Sequence, residues 1–135
     1  DVVEIPDVEA AAPRVTVAGW GTLKEGGGVS PKLMKVDVPL VSAVNCKKSY
    51  PNQIDDTMIC AGFEAGGQDS CQGDSGGPLY YQTPNGNFVL AGVVSWGRGC
   101  ARPKYYGVYG NVSSVVEWIE TSTAVIEPES GVAAY

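Results

Sequence analysis

The chain has 135 residues, 44% of them hydrophobic and 18% charged, with a net charge of −6 and no histidine. That length suits one domain able to bury a core, the composition excludes wholesale disorder, and the charge argues against a nucleic-acid surface. Eighteen glycines and nine prolines, against few helix-favouring runs, predict many turns and short strands.

Residues 1–13, DVVEIPDVEAAAP, are punctuated by proline and read as an extended connector. Arg14–Gly21 alternates and then breaks on glycine, as a strand entering a turn does. Lys24–Pro31 is a glycine-rich loop, and Leu33–Leu40 places Met34, Val36, Val38 and Leu40 on one face of a second strand. A short helix over Ser42–Ser49 leads into Cys46. Met58–Gly62, Gly77–Gln82 and Gly107–Val112 read as short strands, and Gly86–Trp96 as a buried strand after the turn Pro84-Asn85-Gly86-Asn87. The period then changes. Ser114–Glu117 fits a capping box, and Val115, Trp118 and Ile119 recur at helical spacing, predicting an amphipathic helix packed onto the sheet. The expected architecture is all-β, about six strands of lengths suited to a small antiparallel barrel, closed by a C-terminal helix. Its expected bounds are 14–123, with 124–135 a flexible tail.

Four cysteines without a CxxC pair allow three disulfide pairings, and the sequence alone does not choose among them. Zinc is the weaker reading, because histidine and close cysteine pairs are both lacking. Disulfides imply an oxidising compartment. No apolar run is long enough to span a membrane, and the acidic N-terminus lacks the basic and apolar regions of a signal peptide. An extracellular protein is expected, with its targeting segment upstream of Asp1.

The chemistry lies in Gln68–Pro78, QDSCQGDSGGP. Gly73, Gly76 and Gly77 permit a backbone path closed to other residues and leave amides bare beside Ser75. Two amides converging near a serine hydroxyl make an oxyanion hole. A serine hydroxyl is nevertheless a poor nucleophile until a base takes its proton, and the usual base is an imidazole. This chain carries the nucleophile without that base.

GDSGGP at Gly73–Pro78 resembles the nucleophile motif of the trypsin-like, chymotrypsin-fold serine proteases. The resemblance extends to Gly19-Trp20-Gly21, VDVPLV at Val36–Val41, MICAG at Met58–Gly62, VSWGRGCARP at Val94–Pro103, GVY at Gly107–Tyr109 and EWI at Glu117–Ile119. It covers about Arg14 to Ile119. It implies the second, six-stranded Greek-key barrel of that fold, with residues 1–13 connecting to an N-terminal barrel that bears the catalytic histidine and aspartate.

The roles that follow are carried over from the general serine-protease triad. By resemblance, Ser75 is the attacking serine, and the amides of Gly73 and Ser75 form the oxyanion hole. Asp69 is the charge at the floor of the specificity pocket, with Ser70 beside it and Gly97 and Gly107 as walls. Ser95-Trp96-Gly97 is the strand edge that pairs with substrate backbone. Asp69 implies cleavage after arginine or lysine, since a desolvated carboxylate favours a long cationic side chain. The resemblance also selects the pairings Cys46–Cys60 and Cys71–Cys100. The family's common third bridge is absent, with Val36 and Tyr80 near its usual places. Asp74 resembles the carboxylate that pairs with a new amino terminus after zymogen cleavage; lacking that partner, its loop is expected to relax.

Tyr106, where many such pockets have proline, implies Na+ binding through the carbonyls of Arg102 and Tyr105; no other cofactor is expected. Asn111-Val112-Ser113 is a glycosylation sequon. The implied partners are peptide or protein substrates with arginine or lysine at the cleavage site, the N-terminal barrel and protein protease inhibitors, with no nucleic acid and no membrane. The chain alone is expected to be inactive. The alternative reading is a non-catalytic homologue acting as a binding, decoy or inhibitor-type module.

Overall fold

In the computed structural model, which describes residues 12–124, six antiparallel strands close into a barrel in the order β1-β2-β3-β6-β5-β4. Most of the expected connector (1–11) and tail (125–135) lies outside the described residues. β1 (Arg14–Gly19) sends Val15 and Val17 into the core by simple alternation. It pairs along its length with β2 (Met34–Val41), Arg14 opposite Pro39 and Gly19 opposite Met34. β3 (Met58–Ala61) joins β2 through Leu40–Ala61 and Val41–Cys60. β4 (Pro78–Gln82) then returns to the far side of β1, with Val17 opposite Leu79. A fourth strand lying beside the first of three is the Greek key. β5 (Phe88–Trp96) pairs with β4, and β6 (Gly107–Asn111) closes the barrel between β5 and β3.

Val15, Val17, Val38, Leu79, Val94 and Tyr109 fill the barrel. A second cluster, Cys46, Tyr50, Cys60, Tyr106 and Val108, lies at α1 (Ala43–Ser49). Ser42 caps that helix by accepting the Asn45 amide, and the Cys46–Cys60 disulfide pins it to β3.

The structure departs from expectation in five places. The apolar face of β2 reaches the core at Val38 but surfaces at Met34. β5 is buried at Gly92 and Val94 only, while Phe88, Leu90 and Val93 point outward, so the continuous apolar run is not a fully buried strand. Val36 and Tyr80 cannot stand where two bridging cysteines would, because β1 runs between β2 and β4. The capping box is replaced by a 3-10 turn, Val112–Val115, in which the Ser114 hydroxyl donates to the Asn111 carbonyl. The helix that follows, α2 (Val116–Ala124), buries none of its residues, and Trp118 is 70% exposed. Its periodicity marks an apolar stripe without specifying what the stripe covers.

Candidate active site

Ser75 lies on a loop whose path depends on glycine. Gly73 (φ 95°) and Gly76 (φ 81°) occupy the left-handed region. Gly77 is needed for another reason, since a Cβ there would come within 2.9 Å of the Asp74 carbonyl oxygen. The loop consumes most of its own amides: Asp74 donates to the Cys71 carbonyl (3.0 Å), Gly76 to that of Val94 (2.9 Å) and Gly77 to that of Asp74 (2.9 Å). Among the described residues, nothing accepts the amides of Gly73 and Ser75. Two donors therefore remain open beside an exposed serine hydroxyl.

Asp74 does not stand alone. Its Oδ1 accepts the Gly21 amide and its Oδ2 the Cys71 amide, each at 2.9 Å. These bonds offset desolvation, and the loop keeps a defined path instead of relaxing. The approach requires bare backbone opposite, for a Cβ on Gly19 would lie 2.1 Å from the carboxylate and one on Gly21 2.4 Å. The Gly19-Trp20-Gly21 turn is thus shaped around Asp74. The carboxylate borders a cavity of about 210 Å³ that also touches Val17 and Val36.

A second cavity, about 180 Å³, has Ser75, Ser95, Trp96, Gly97 and Gly107 on its walls and Asp69 and Ser70 among its lining. Asp69 accepts the Ser70 amide at 2.8 Å and the Ala101 amide at 3.0 Å. Burial nonetheless pushes its carboxyl up to about 6, opposed by those amides and assisted by the nearby charge of Asp74. The Ser70 hydroxyl is 3.1 Å from that of buried Tyr109, whose own ionisation is raised by burial. A Cβ on Gly107 would fall 2.7 Å from Asp69 Oδ1 and 3.0 Å from the Tyr109 ring, so only glycine leaves this wall open. The β5–β6 register slips between Val94 and Trp96, which releases Ser95 from the ladder at the cavity rim. The Cys71–Cys100 disulfide ties the nucleophile loop to the opposite wall, and both cysteines border both cavities.

Two contributors carry no signal in the sequence. The Tyr50 hydroxyl donates to the Tyr106 carbonyl (2.7 Å) and accepts the Arg98 amide (3.1 Å), joining the two walls of the pocket. Glu25, in the glycine-rich loop, accepts the Cys100 amide (3.1 Å) and pairs with Arg102. Elsewhere, the Arg102 carbonyl accepts the Tyr105 amide at 3.2 Å and retains a second lone pair, so a bound cation remains chemically compatible with that turn. Asn111 donates from Nδ2 to the Asp56 carbonyl (3.1 Å) and accepts the Ser113 hydroxyl (2.8 Å). No helix among the described residues is long and apolar enough to cross a membrane.

The family model of trypsin matches residues 2–119. The chain belongs to the trypsin family. It is 55% identical over 113 residues to trypsin-1 of Astacus astacus, covering 83% of this chain and 47% of that protein. It is 47% identical to trypsin of Sus scrofa (85% and 48% covered) and 50% identical to transmembrane protease serine 9 of Rattus norvegicus (78% and 10%). This trypsin-family chain thus spans about half the length, or less, of the curated relatives it matches. Its geometry brings an exposed serine hydroxyl and a partly buried carboxylate to one cavity, with no imidazole in the sequence to take the serine proton.

Proposed function

We propose that this chain is the nucleophile-bearing barrel of a serine endopeptidase that cleaves after arginine or lysine, its histidine and triad aspartate supplied by sequence outside these 135 residues. The observation that carries the reading is the shared cavity, with Ser75 on its wall and the partly buried Asp69 carboxylate in its lining. A long cationic side chain enters and meets Asp69, which positions the following carbonyl at the amides of Gly73 and Ser75. Substrate backbone runs along Ser95–Gly97, where the register slip leaves Ser95 outside the ladder. Ser75 Oγ attacks the carbonyl while the external histidine takes its proton. That proton goes to the leaving amine as the acyl-enzyme forms, and water then releases the acid. Oxyanion donors of this kind contribute about 3 kcal/mol each to transition-state stabilisation.

The cavity beside Asp74 suits a protonated amino terminus with an apolar side chain, which Val17 and Val36 would contact. Its arrival would add an ion pair to a carboxylate that already holds two amides. In this reading the chain alone is inactive and the working protein is extracellular, acting on protein substrates and open to protein inhibitors. Na+ at the carbonyls of Arg102 and Tyr105 tunes the rate. A glycan at Asn111 would give up the Nδ2 bond to Asp56.

The test uses protein from its source, treated with a fluorophosphonate and assayed on arginine, lysine and phenylalanine peptides in Na+ and in K+. Labelling at Ser75 with turnover of the cationic peptides alone is the expected result, together with a rate that differs between the two ions. Stoichiometric binding of those peptides with neither label nor turnover would overturn it in favour of a decoy, and equal rates would remove the Na+ site.

A further inference from the structure

The wall that separates the two cavities is gripped from outside the barrel. The loop between β1 and β2 reaches over the Cys71–Cys100 disulfide and binds the chain on both sides of it. Thr22 donates its amide to the Gln72 carbonyl (2.8 Å) and its hydroxyl to Gln72 Oε1 (3.1 Å). Glu25 Oε2 accepts the Cys100 amide (3.1 Å) and Arg102 Nε (2.9 Å), and Oε1 faces the other arm of the guanidinium. Arg102 accordingly holds the Glu25 carboxyl below the usual carboxylate range.

We infer that Glu25 is a positioning residue for the primary pocket: by fixing Cys100 and Arg102, it keeps the Ala101 amide on Asp69 and so sets how tightly the pocket takes a cation. The inference rests on the function proposed above. Its physical basis is the order of three residues. The consecutive amides of Cys100 and Ala101 point to two different carboxylates, Glu25 outside and Asp69 inside. Ala101 between them has φ 55°, a left-handed conformation that a non-glycine residue keeps only when its surroundings impose it. Gly99 completes the arrangement, since a Cβ there would lie 2.4 Å from Glu25 Oε2 and 2.3 Å from Arg102 Nε. An exposed ion pair contributes little by itself. Glu25 differs because the same carboxylate also holds a backbone amide of the pocket wall.

The groups facing Asp69 are the amides of Ser70 and Ala101, the Ser70 hydroxyl, the carboxylate of Asp74 and the phenols of Tyr50 and Tyr109. Of these, only the Ala101 amide is held by Glu25. Its loss would disfavour the ionised form of Asp69, so ionisation would move to higher pH.

The experiment measures benzamidine binding against pH, with KM and kcat for an arginine peptide, in the protein that carries this chain. Wild type is compared with Glu25→Ala, Glu25→Gln and Arg102→Ala. Glu25→Ala should weaken benzamidine about fivefold, the factor carried by about one weakened hydrogen bond. Its acid limb should move to higher pH, and KM should rise with kcat near the wild-type value. Arg102→Ala should shift binding the same way, and Glu25→Gln, which keeps an acceptor for Cys100, should fall between. Wild-type affinity and an unmoved acid limb in both Glu25→Ala and Arg102→Ala would overturn the inference. A wild type that binds no benzamidine would instead overturn the pocket reading beneath it.

Discussion

Burial moves the Asp69 carboxyl from 3.8 to about 6, against hydrogen bonds from Ala101 and Ser70 that favour its charged form. Between those values the folded chain binds more protons than the unfolded one. The stabilisation that protonated Asp69 provides is therefore complete below pH 3.8 and is lost as pH rises through about 6. By neutral pH the ionised group costs about 3 kcal/mol. A cationic ligand would reverse this by pairing with the charge. Benzamidine binding at pH 6 should accordingly release about half a proton, and at pH 8 almost none, which calorimetry in buffers of different ionisation enthalpy measures directly. Binding that weakens towards high pH through this range, or that takes up protons, would contradict the assignment of Asp69. That Asp69 and Ser75 come to one cavity was legible because both sit in one short motif. Tyr50 and Glu25 were not, for they act 48 and 75 residues along the chain from the amides they hold, where no local pattern records the contact.

At the scale of elements, the turn after β1 and the nucleophile loop form one unit joined by Asp74. Gly21→Ala would press a Cβ against a carboxylate that has no room to yield without leaving its amides. Overpacking of this kind costs about 1–3 kcal/mol, and here it should also disturb the amides beside Ser75, lowering kcat more than it raises KM. Gly28→Ala, where nothing lies within 4 Å, is the matched control and should stay within about 0.5 kcal/mol of wild type in chemical denaturation. Equal stability and kcat in the two variants would separate the turn from the site. The six strands themselves were readable, all within two residues of their observed ends, because alternation and glycine breaks are local signals. Burial of β5 and packing of α2 were misread, since an apolar face states that something covers it and not what.

Over the whole molecule, Phe88, Leu90 and Val93 on β5 and Val115, Trp118 and Ile119 near the C-terminus present apolar side chains to solvent. Such side chains are of the kind that a second barrel, as in the function proposed above, would cover. The 135-residue chain on its own should bind a hydrophobic dye and elute from a sizing column ahead of a monomer. A clean monomer that leaves the dye dark would show that the surface needs no cover.

Barrel closure governs what such clusters would be. Strand β4 returns to β1, so the six-stranded ladder is continuous around the ring. A sheet without a free margin cannot recruit a neighbour's strand by hydrogen bonding, the route by which extended fibrils grow. Chains that gather through their apolar side chains should form amorphous, detergent-reversible particles that do not stain as amyloid. A closed barrel with apolar side chains left exposed would associate readily yet be poorly suited to templating its own misfolding.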